Sequence, residues 1–354
     1  MTRSLDLKRL WKLLIFFLAY TSFAFGSSFA ETPAPTPPGK KPWENLAISP
    51  FYKGQDGLSL YQFKGENGSD VNLLVVDLNK EKWGLMPFFN EDTNTTTNAA
   101  RGNGAKAAVN GGFFNLSDGF STSYVTIDGK SMCEPRINRA LTTNPKLTAY
   151  LDQIFNRSEL RILEDKKGKQ SYVICNHNDA PPPGLKLRHA LQAGPRLLPE
   201  STEKEEAFVR KDPQGNTVDS IGCYRQAART AIGITPDNFA LIICVAGKGQ
   251  SEFSSGLTLA QLAALFKKLG CTQALNFDGG TSTTMVVKVN KTSAEKNVEG
   301  NNEYTKVCGG TTEKLVKSGL LVGKYKAFAQ NPTVKEIVKS AKRFGKESIG
   351  QFDE

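Results

Sequence analysis

Histidine is almost missing from this chain, whose 354 residues hold only His177 and His189. A histidine-rich metal centre is therefore excluded, and none of the six cysteines shows the close paired spacing of a zinc site. Metal-independent chemistry remains, with no cofactor required and oxygen-ligated calcium left open. Standard nucleophile and phosphate signatures are absent as well: there is no Gly-x-Ser-x-Gly elbow, no Gly-x-x-x-x-Gly-Lys-Ser/Thr loop and no His-Glu-x-x-His pair. The apolar run from Leu13 to Gly26 is about 14 residues, short of the roughly 20 that a membrane-spanning helix needs. It follows Arg3, Lys8, Arg9 and Lys12 and leads into Ser28-Phe29-Ala30, the order of a secretory signal peptide, with cleavage expected near Ala30. An uncleaved anchor is the alternative use of the same core. A secreted or periplasmic protein is the expectation.

The formal net charge of +10 falls to +7 once residues 1–30 are removed, because four basic and one acidic side chain leave with them. No nucleic-acid module is present, and the aromatics do not interleave with the basic residues as a stacking platform would. The excess of lysine and arginine reads either as a solvated surface or as attraction to anionic envelope polymers and phosphorylated substrates. Six cysteines in an oxidising compartment allow up to about three disulfides, although Cys244, inside the apolar run 239–245, also reads as a plain buried thiol.

Residues 31–42 form a proline-rich spacer, and 43–324 contain no long low-complexity break, so one large domain is expected there. Strand-like runs dominate, at 71–78, 83–89, 106–109, 124–127, 171–175, 190–193, 231–234, 239–245, 273–277, 285–289 and 315–322. Asp128-Gly129 is a hairpin turn signal. Thr258 followed by Gln261 is a capping box that opens a helix closed by Gly270. In the basic tail, 325–354, Val334, Ile337, Val338, Ala341 and Phe344 recur at helical spacing opposite a lysine-rich face. That helix either docks on the domain or makes a peripheral contact with a partner or the envelope. The whole reads as an α+β domain with few helices and a mixed, mainly antiparallel sheet.

Two segments carry the chemistry signal. Ala107-Ala108-Val109-Asn110-Gly111-Gly112-Phe113-Phe114-Asn115 and Ala274-Leu275-Asn276-Phe277-Asp278-Gly279-Gly280-Thr281-Ser282-Thr283-Thr284 each end an apolar strand in Asn or Asp followed by two glycines. Such a turn lets backbone bend sharply and approach a ligand. Taken with Arg229-Thr230-Ala231-Ile232-Gly233-Ile234 and the stretch from Gly247-Lys248 through Ser255-Gly256 into Leu257-Thr258-Leu259-Ala260-Gln261-Leu262, these segments resemble, in order and spacing, the phosphodiester glycosidase family. Thr281 stands where the family commonly has a third glycine, and Lys248 where it usually has arginine.

The resemblance implies hydrolysis of a sugar-1-phosphodiester at the anomeric carbon, releasing free sugar and a phosphomonoester from an envelope or extracellular glycan. Residue types suit it: the reaction needs donors on the phosphate, a carboxylate near the anomeric centre and polar groups on the sugar hydroxyls. Asp278 is the candidate base or electrostatic stabiliser, against a turn-capping or calcium-binding role. Arg229 is the candidate phosphate clamp, against a structural ion pair. Arg196 and Lys248 are further anion contacts, and Glu134 is a candidate second carboxylate, against a surface ion-pair partner. Asn110, Asn115, Ser282 and Thr283 are hydrogen-bonding candidates, Gly111, Gly112, Gly279 and Gly280 supply backbone, and Phe113 either faces the sugar ring or fills the core. The expected partner is a phosphorylated sugar or anionic glycan. A different class, a non-catalytic glycan-binding or exopolysaccharide-assembly protein, fits the spacer, charge and tail equally well.

Overall fold

The computed structural model describes residues 40–46, 57–80, 82–246, 256–289 and 303–324. The expected signal peptide, almost all of the spacer, Lys248 and the basic tail lie outside these residues. The chain divides into Met1–Lys41 and Pro42–Glu354, and every described helix and strand belongs to the second unit.

In chain order the elements are β1 (Leu58–Lys64), β2 (Asp70–Asp77), β3 (Gly84–Asn94), α1 (Thr96–Gly102), β4 (Ala107–Asn110), β5 (Val125–Ile127), β6 (Lys130–Ser131), α2 (Arg139–Thr142), α3 (Leu151–Phe155), β7 (Ser158–Glu164), β8 (Gln170–Asn176), β9 (Lys186–Gln192), β10 (Arg196–Leu198), β11 (Val209–Lys211), β12 (Thr217–Asp219), β13 (Arg229–Ile234), β14 (Phe239–Ala246), α4 (Leu259–Lys268), β15 (Gln273–Asn276), β16 (Thr284–Lys288), β17 (Tyr304–Gly309) and β18 (Val316–Gly323). The strands build a six-stranded sheet in the order β1-β2-β14-β13-β15-β10 and a five-stranded sheet in the order β17-β16-β4-β18-β3. A second five-stranded sheet runs β6-β5-β9-β7-β8, and β11 and β12 form a small ribbon. The domain is α+β as expected. Every strand pair among the described residues is antiparallel, so the expected mixed character is not seen.

Period-2 patterning decides how the sheets stack. Along β14, Ala240, Ile242 and Cys244 face a core that is shared by all three large sheets. Leu241, Ile243 and Val245 face the opposite side, where Leu259, Leu262 and Phe266 of α4 cover the sheet. In β16, Met285 and Val287 face the shared core, while Val286 packs on the α1 side with Ala99 and Ala100. These two sheets therefore bury apolar side chains on both faces, and each buried Leu, Ile or Val contributes about 1.5–3 kcal/mol.

Local signals behave as their chemistry dictates. Thr258 and Gln261 form the complete capping box of α4, and Gly270 follows the helix at φ +83°. Asp128 and Gly129 both take positive φ, at 51° and 72°, and join β5 to β6 in the hairpin that Asp-Gly favours. The apolar alternation misses β7, because Glu159 and Arg161 read as solvent-facing. Both are buried and paired with one another at 2.6 Å. The expected disulfides are not seen: all six cysteines are free.

His189 on β9 is 2% exposed, and its Nδ1 accepts the Asp128 backbone N–H at 3.2 Å, which requires that nitrogen to be unprotonated. Burial pushes this histidine from 6.5 down to about 4, against a smaller upward pull from Asp128. Between those values the unfolded chain binds the proton and the folded chain does not, so stability falls as pH drops through the window. Asp278 has the opposite sign, since its raised value makes the folded state the better proton binder. The two are separated by comparing the wild type with His189→Gln in denaturant melts. The stability difference should shift against the wild type by up to about 3 kcal/mol between pH 6.5 and pH 4. A difference independent of pH would show that His189 is not the buried neutral group.

Candidate functional site

The turn that leaves β15 is stitched to two sheets at once. Phe277 N–H donates to the Thr230 carbonyl at 2.8 Å, Asp278 N–H to the Gly111 carbonyl at 2.8 Å, and Gly280 N–H to the Ala228 carbonyl at 2.9 Å. Asn110 is the centre of this stitching. Its amide nitrogen donates to the Asp278 carbonyl at 2.6 Å, while its Oδ1 accepts from the Thr230 hydroxyl at 2.7 Å and the Thr284 backbone N–H at 3.0 Å. Asn110 and Thr230 are fully buried, and Thr284 is nearly so. One side chain on β4 thereby fixes β13, β16 and the catalytic-candidate turn relative to one another.

Asp278 itself is partly exposed. Burial raises its carboxyl to about 6, and hydrogen bonds from the Ser282 hydroxyl and the Gly279 N–H pull it back part of the way. Ser282 is 2% exposed and sits in a one-turn 3-10 segment, Gly280–Ser282. Gly279 has no room for a side chain, because a Cβ would lie 2.7 Å from the Ala228 carbonyl oxygen, and Gly280 takes φ +58°. Beside the turn opens a cleft of about 320 Å³ lined by Gly280, Thr281, Thr283, Gly309, Thr312 and Lys314 among others. The Thr283 hydroxyl is buried and has no hydrogen-bond partner.

Arg229 lies beside this turn, and a Cβ on Gly279 would come within 3.7 Å of its Cα. Its guanidinium, however, is spent on backbone. Nε donates to Leu257 O at 2.9 Å, Nη1 to Ile221 O at 3.1 Å, and Nη2 to Gly222 O at 2.5 Å and Arg225 O at 2.9 Å. It is 2% exposed, and burial lowers it to about 10, so it stays charged at neutral pH. With four donors engaged, it cannot present the open fork of a phosphate clamp. It instead holds the 221–225 loop and Leu257 against the site.

The remaining candidates are scattered. Gly111 and Gly112 serve close packing: a Cβ on Gly111 would lie 2.8 Å from Gly319 Cα, and one on Gly112 2.9 Å from Ser318 Oγ. Both N–H groups are already taken, that of Gly111 by Ser318 O at 3.0 Å and that of Gly112 by Ser318 Oγ at 3.2 Å. Phe113 packs on the core and meets Phe208 at 5.4 Å between ring centroids. The Asn115 amide donates at 3.0 Å to Oδ1 of Asn138, the residue that caps α2. Glu134 is exposed and accepts from the Tyr124 hydroxyl at 2.9 Å and the Arg136 N–H at 3.0 Å, where it caps a 3-10 turn. Arg196 lines a different cleft, among carboxylates. Among the described residues, no three His, Cys, Asp or Glu side chains gather as a metal site, and no helix is long and apolar enough to cross a membrane. Sequence reasoning missed Thr230, Thr284 and Ser318, although Thr230 stands inside the Arg-Thr-Ala-Ile-Gly motif.

A model of the phosphodiester glycosidase family matches residues 103–323. No match is found among curated proteins. Among solved structures, a hypothetical protein from Synechocystis is similar at 15% identity with a TM-score of 0.50, over 76% of this chain and 62% of that one. This chain therefore spans less than two thirds of that relative. A protein from Burkholderia pseudomallei K96243 that carries the designation of an exported protein is similar at 16% identity and TM-score 0.50, over 74% of this chain and 75% of that one. The zebrafish N-acetylglucosamine-1-phosphodiester alpha-N-acetylglucosaminidase catalytic domain, auto-inhibited by its pro-peptide, aligns at 15% identity and TM-score 0.49, over 78% and 87%.

Asn110→Ala should be among the most damaging single changes in the chain. It removes three hydrogen bonds, taking the acceptor from the buried Thr230 hydroxyl and Thr284 N–H and the donor from the Asp278 carbonyl, at a cost of about 3 kcal/mol or more. Urea unfolding measures it, and a loss below about 1 kcal/mol would contradict the central role of this amide.

Proposed function

The chain belongs to the phosphodiester glycosidase family, and on that premise we propose that it hydrolyses an α-linked sugar-1-phosphodiester at the anomeric C–O bond, with Asp278 as the general base. The observation that carries this reading is the environment of Asp278. A carboxyl raised to about 6 is mostly ionised at neutral pH yet basic enough to take a proton from water. Water attacks the anomeric carbon and gives its proton to Asp278. The bond between that carbon and the phosphate oxygen breaks, and the phosphomonoester leaves with the bonding pair. A phosphate ester is a better leaving group than an alkoxide, so one carboxylate suffices where glycosidases acting on sugar ethers use two. As the anomeric centre becomes cationic, the same carboxylate stabilises it.

The phosphate is assigned to the cleft beside the Gly280–Ser282 turn. What supports this is its lining, which brings Thr281, Thr312 and Lys314 together beside the turn. Arg229 acts as a positioning residue through the four carbonyls that it holds. Ser282 orients Asp278. The order of basic stretch, short apolar run, small-residue exit and proline-rich spacer at the N-terminus supports action outside the cytoplasm on an extracellular or envelope glycan.

With a synthetic α-linked hexose-1-phosphodiester as substrate, kcat/KM should fall tenfold per pH unit below about pH 6, since the base is active only when ionised. Asp278→Asn should lower kcat by about 10²–10⁴-fold and abolish that acid limb. Full activity in Asp278→Asn, or a rate that rises as pH falls below 6, would remove Asp278 as the base.

A further inference from the structure

The cleft beside the Asp278 turn is continued on both sides. One wall of it is the loop from β17 to β18, which supplies Gly309, Gly310 and residues 312–315. At the β17 end of that loop, Gly309 and Ala246 also line a second cleft, of about 540 Å³. At the β18 end, Lys314 and Leu315 also line a third, of about 380 Å³. The three clefts therefore follow one another along the loop, with Gly280, Thr281 and Thr283 at the middle one. The divide between the first two is low. Gly309 takes φ +128°, and a Cβ there would lie 2.9 Å from the Thr283 carbonyl oxygen and 3.4 Å from Lys306 Cδ, so no side chain fits at this position. Ala246 adds only a methyl. The loop is held at both ends: Lys306 Nζ donates to the Gly310 carbonyl and, at 3.0 Å, to Thr311 O, while Glu313 accepts from the Thr97 N–H at 2.8 Å and its hydroxyl at 2.6 Å.

Resting on the hydrolytic reading of the middle cleft, we infer that the three clefts form one groove whose substrate is a polymer of sugars joined by 1-phosphodiesters, cut at internal linkages. With the phosphate seated in the middle, a small diester that stops at its own sugar or at its own phosphate leaves a flanking cleft empty. A chain that continues in both directions fills both. Each cut consumes one water and leaves one new free-sugar end and one new phosphomonoester end, the same bond change as in a small diester.

The chemistry of the flanks suits sugars. In the second cleft, Gln62 stands opposite Asn72 and Lys64 opposite Asp70 on the paired strands β1 and β2. Gln62 Nε2 donates to Asn72 Oδ1 at 2.7 Å, and Lys64 pairs with Asp70, so these groups are ordered before a ligand arrives. Together they offer the donors and acceptors that sugar hydroxyls require. A lipid alcohol on the phosphate would instead set hydrocarbon against them and desolvate them with no new hydrogen bond in return. In the third cleft, Leu116 and Leu315, 69% and 48% exposed, share the lining with Asp92, Asp118 and Lys317. Apolar surface for the C–H face of a ring, with a few polar groups for its hydroxyls, is the usual make-up of a concave ligand site.

Calorimetric titration of the full-length Asp278→Asn protein separates binding from turnover. The probes are the methyl diester of an α-hexose-1-phosphate, its dodecyl diester, and a tetramer of hexoses linked by α-1-phosphodiesters, each in the gluco and galacto series. In at least one series the tetramer should bind about tenfold or more tighter than the methyl diester, and the dodecyl diester within about threefold of the methyl one. Lys64→Ala and Leu116→Ala, both at exposed positions, should each lower the tetramer-to-methyl affinity ratio by about threefold or more. With the wild type, mass spectrometry of the tetramer digest should show internal cuts before terminal ones. Equal affinity for tetramer and methyl diester, no binding of either tetramer, a dodecyl preference, a ratio unchanged in both variants, or release of terminal sugars alone would each overturn the proposal. Length-dependent binding with no cleavage by the wild type would support the groove and contradict the hydrolytic reading instead.

Discussion

The Asn110 side chain is the constraint on which the rest of the site depends. Its amide is the point where two sheets and the β15 exit turn are bonded together, through Thr230, Thr284 and the Asp278 carbonyl. Thr230 and Thr284 are polar and buried, so their bonds are required to avoid unsatisfied groups as well as contributing on their own account. Without it, the turn would keep its backbone bonds to Thr230, Gly111 and Ala228, but β13 and β16 would lose a side chain that bonds to both, and the Asp278 carbonyl would lose its bond to Asn110. The glycines around it follow from the same demand. Gly111 and Gly319 lie against each other with no space for a Cβ, which packs β4 tightly on β18.

Once the backbone is fixed, the chemistry of Asp278 follows from its surroundings. Desolvation raises its carboxyl, and two hydrogen bonds moderate the rise, which leaves a group near 6 with no cation among its main influences. That differs from a carboxylate paired with arginine, which would sit well below its ordinary value and make a poor base. Arg229 is close in the fold but directs its donors into the 221–225 loop and Leu257. Its donors hold the rim in shape and leave the Asp278 carboxyl free to titrate.

Much of this was legible in the sequence where the information is local. The capping box of α4, the Asp128-Gly129 hairpin and the strand that ends in Asp278 are each written within a few adjacent residues. The role of Asn110 was not, because its partners stand 120, 168 and 174 positions away, and an Asn before Gly-Gly looks the same whether it faces a ligand or a neighbouring sheet. Arg229 shows the same limit: an arginine at a strand start gives no sign that backbone carbonyls from two loops will converge on it. Strand β7 was hidden for a related reason. Glu159 and Arg161 look like a solvated face until burial pairs them, and only then does the strand's two-residue period appear complete.

The central claim is that the Asn110-centred framework presents Asp278 to water at an anomeric carbon. Hydrolysis of an α-linked hexose-1-phosphodiester in ¹⁸O-labelled water tests it most directly. The account predicts label on the released sugar and none on the phosphomonoester, because the bond that breaks is the one between the anomeric carbon and oxygen. Label on the phosphate would mean that water attacks phosphorus, and would contradict the account.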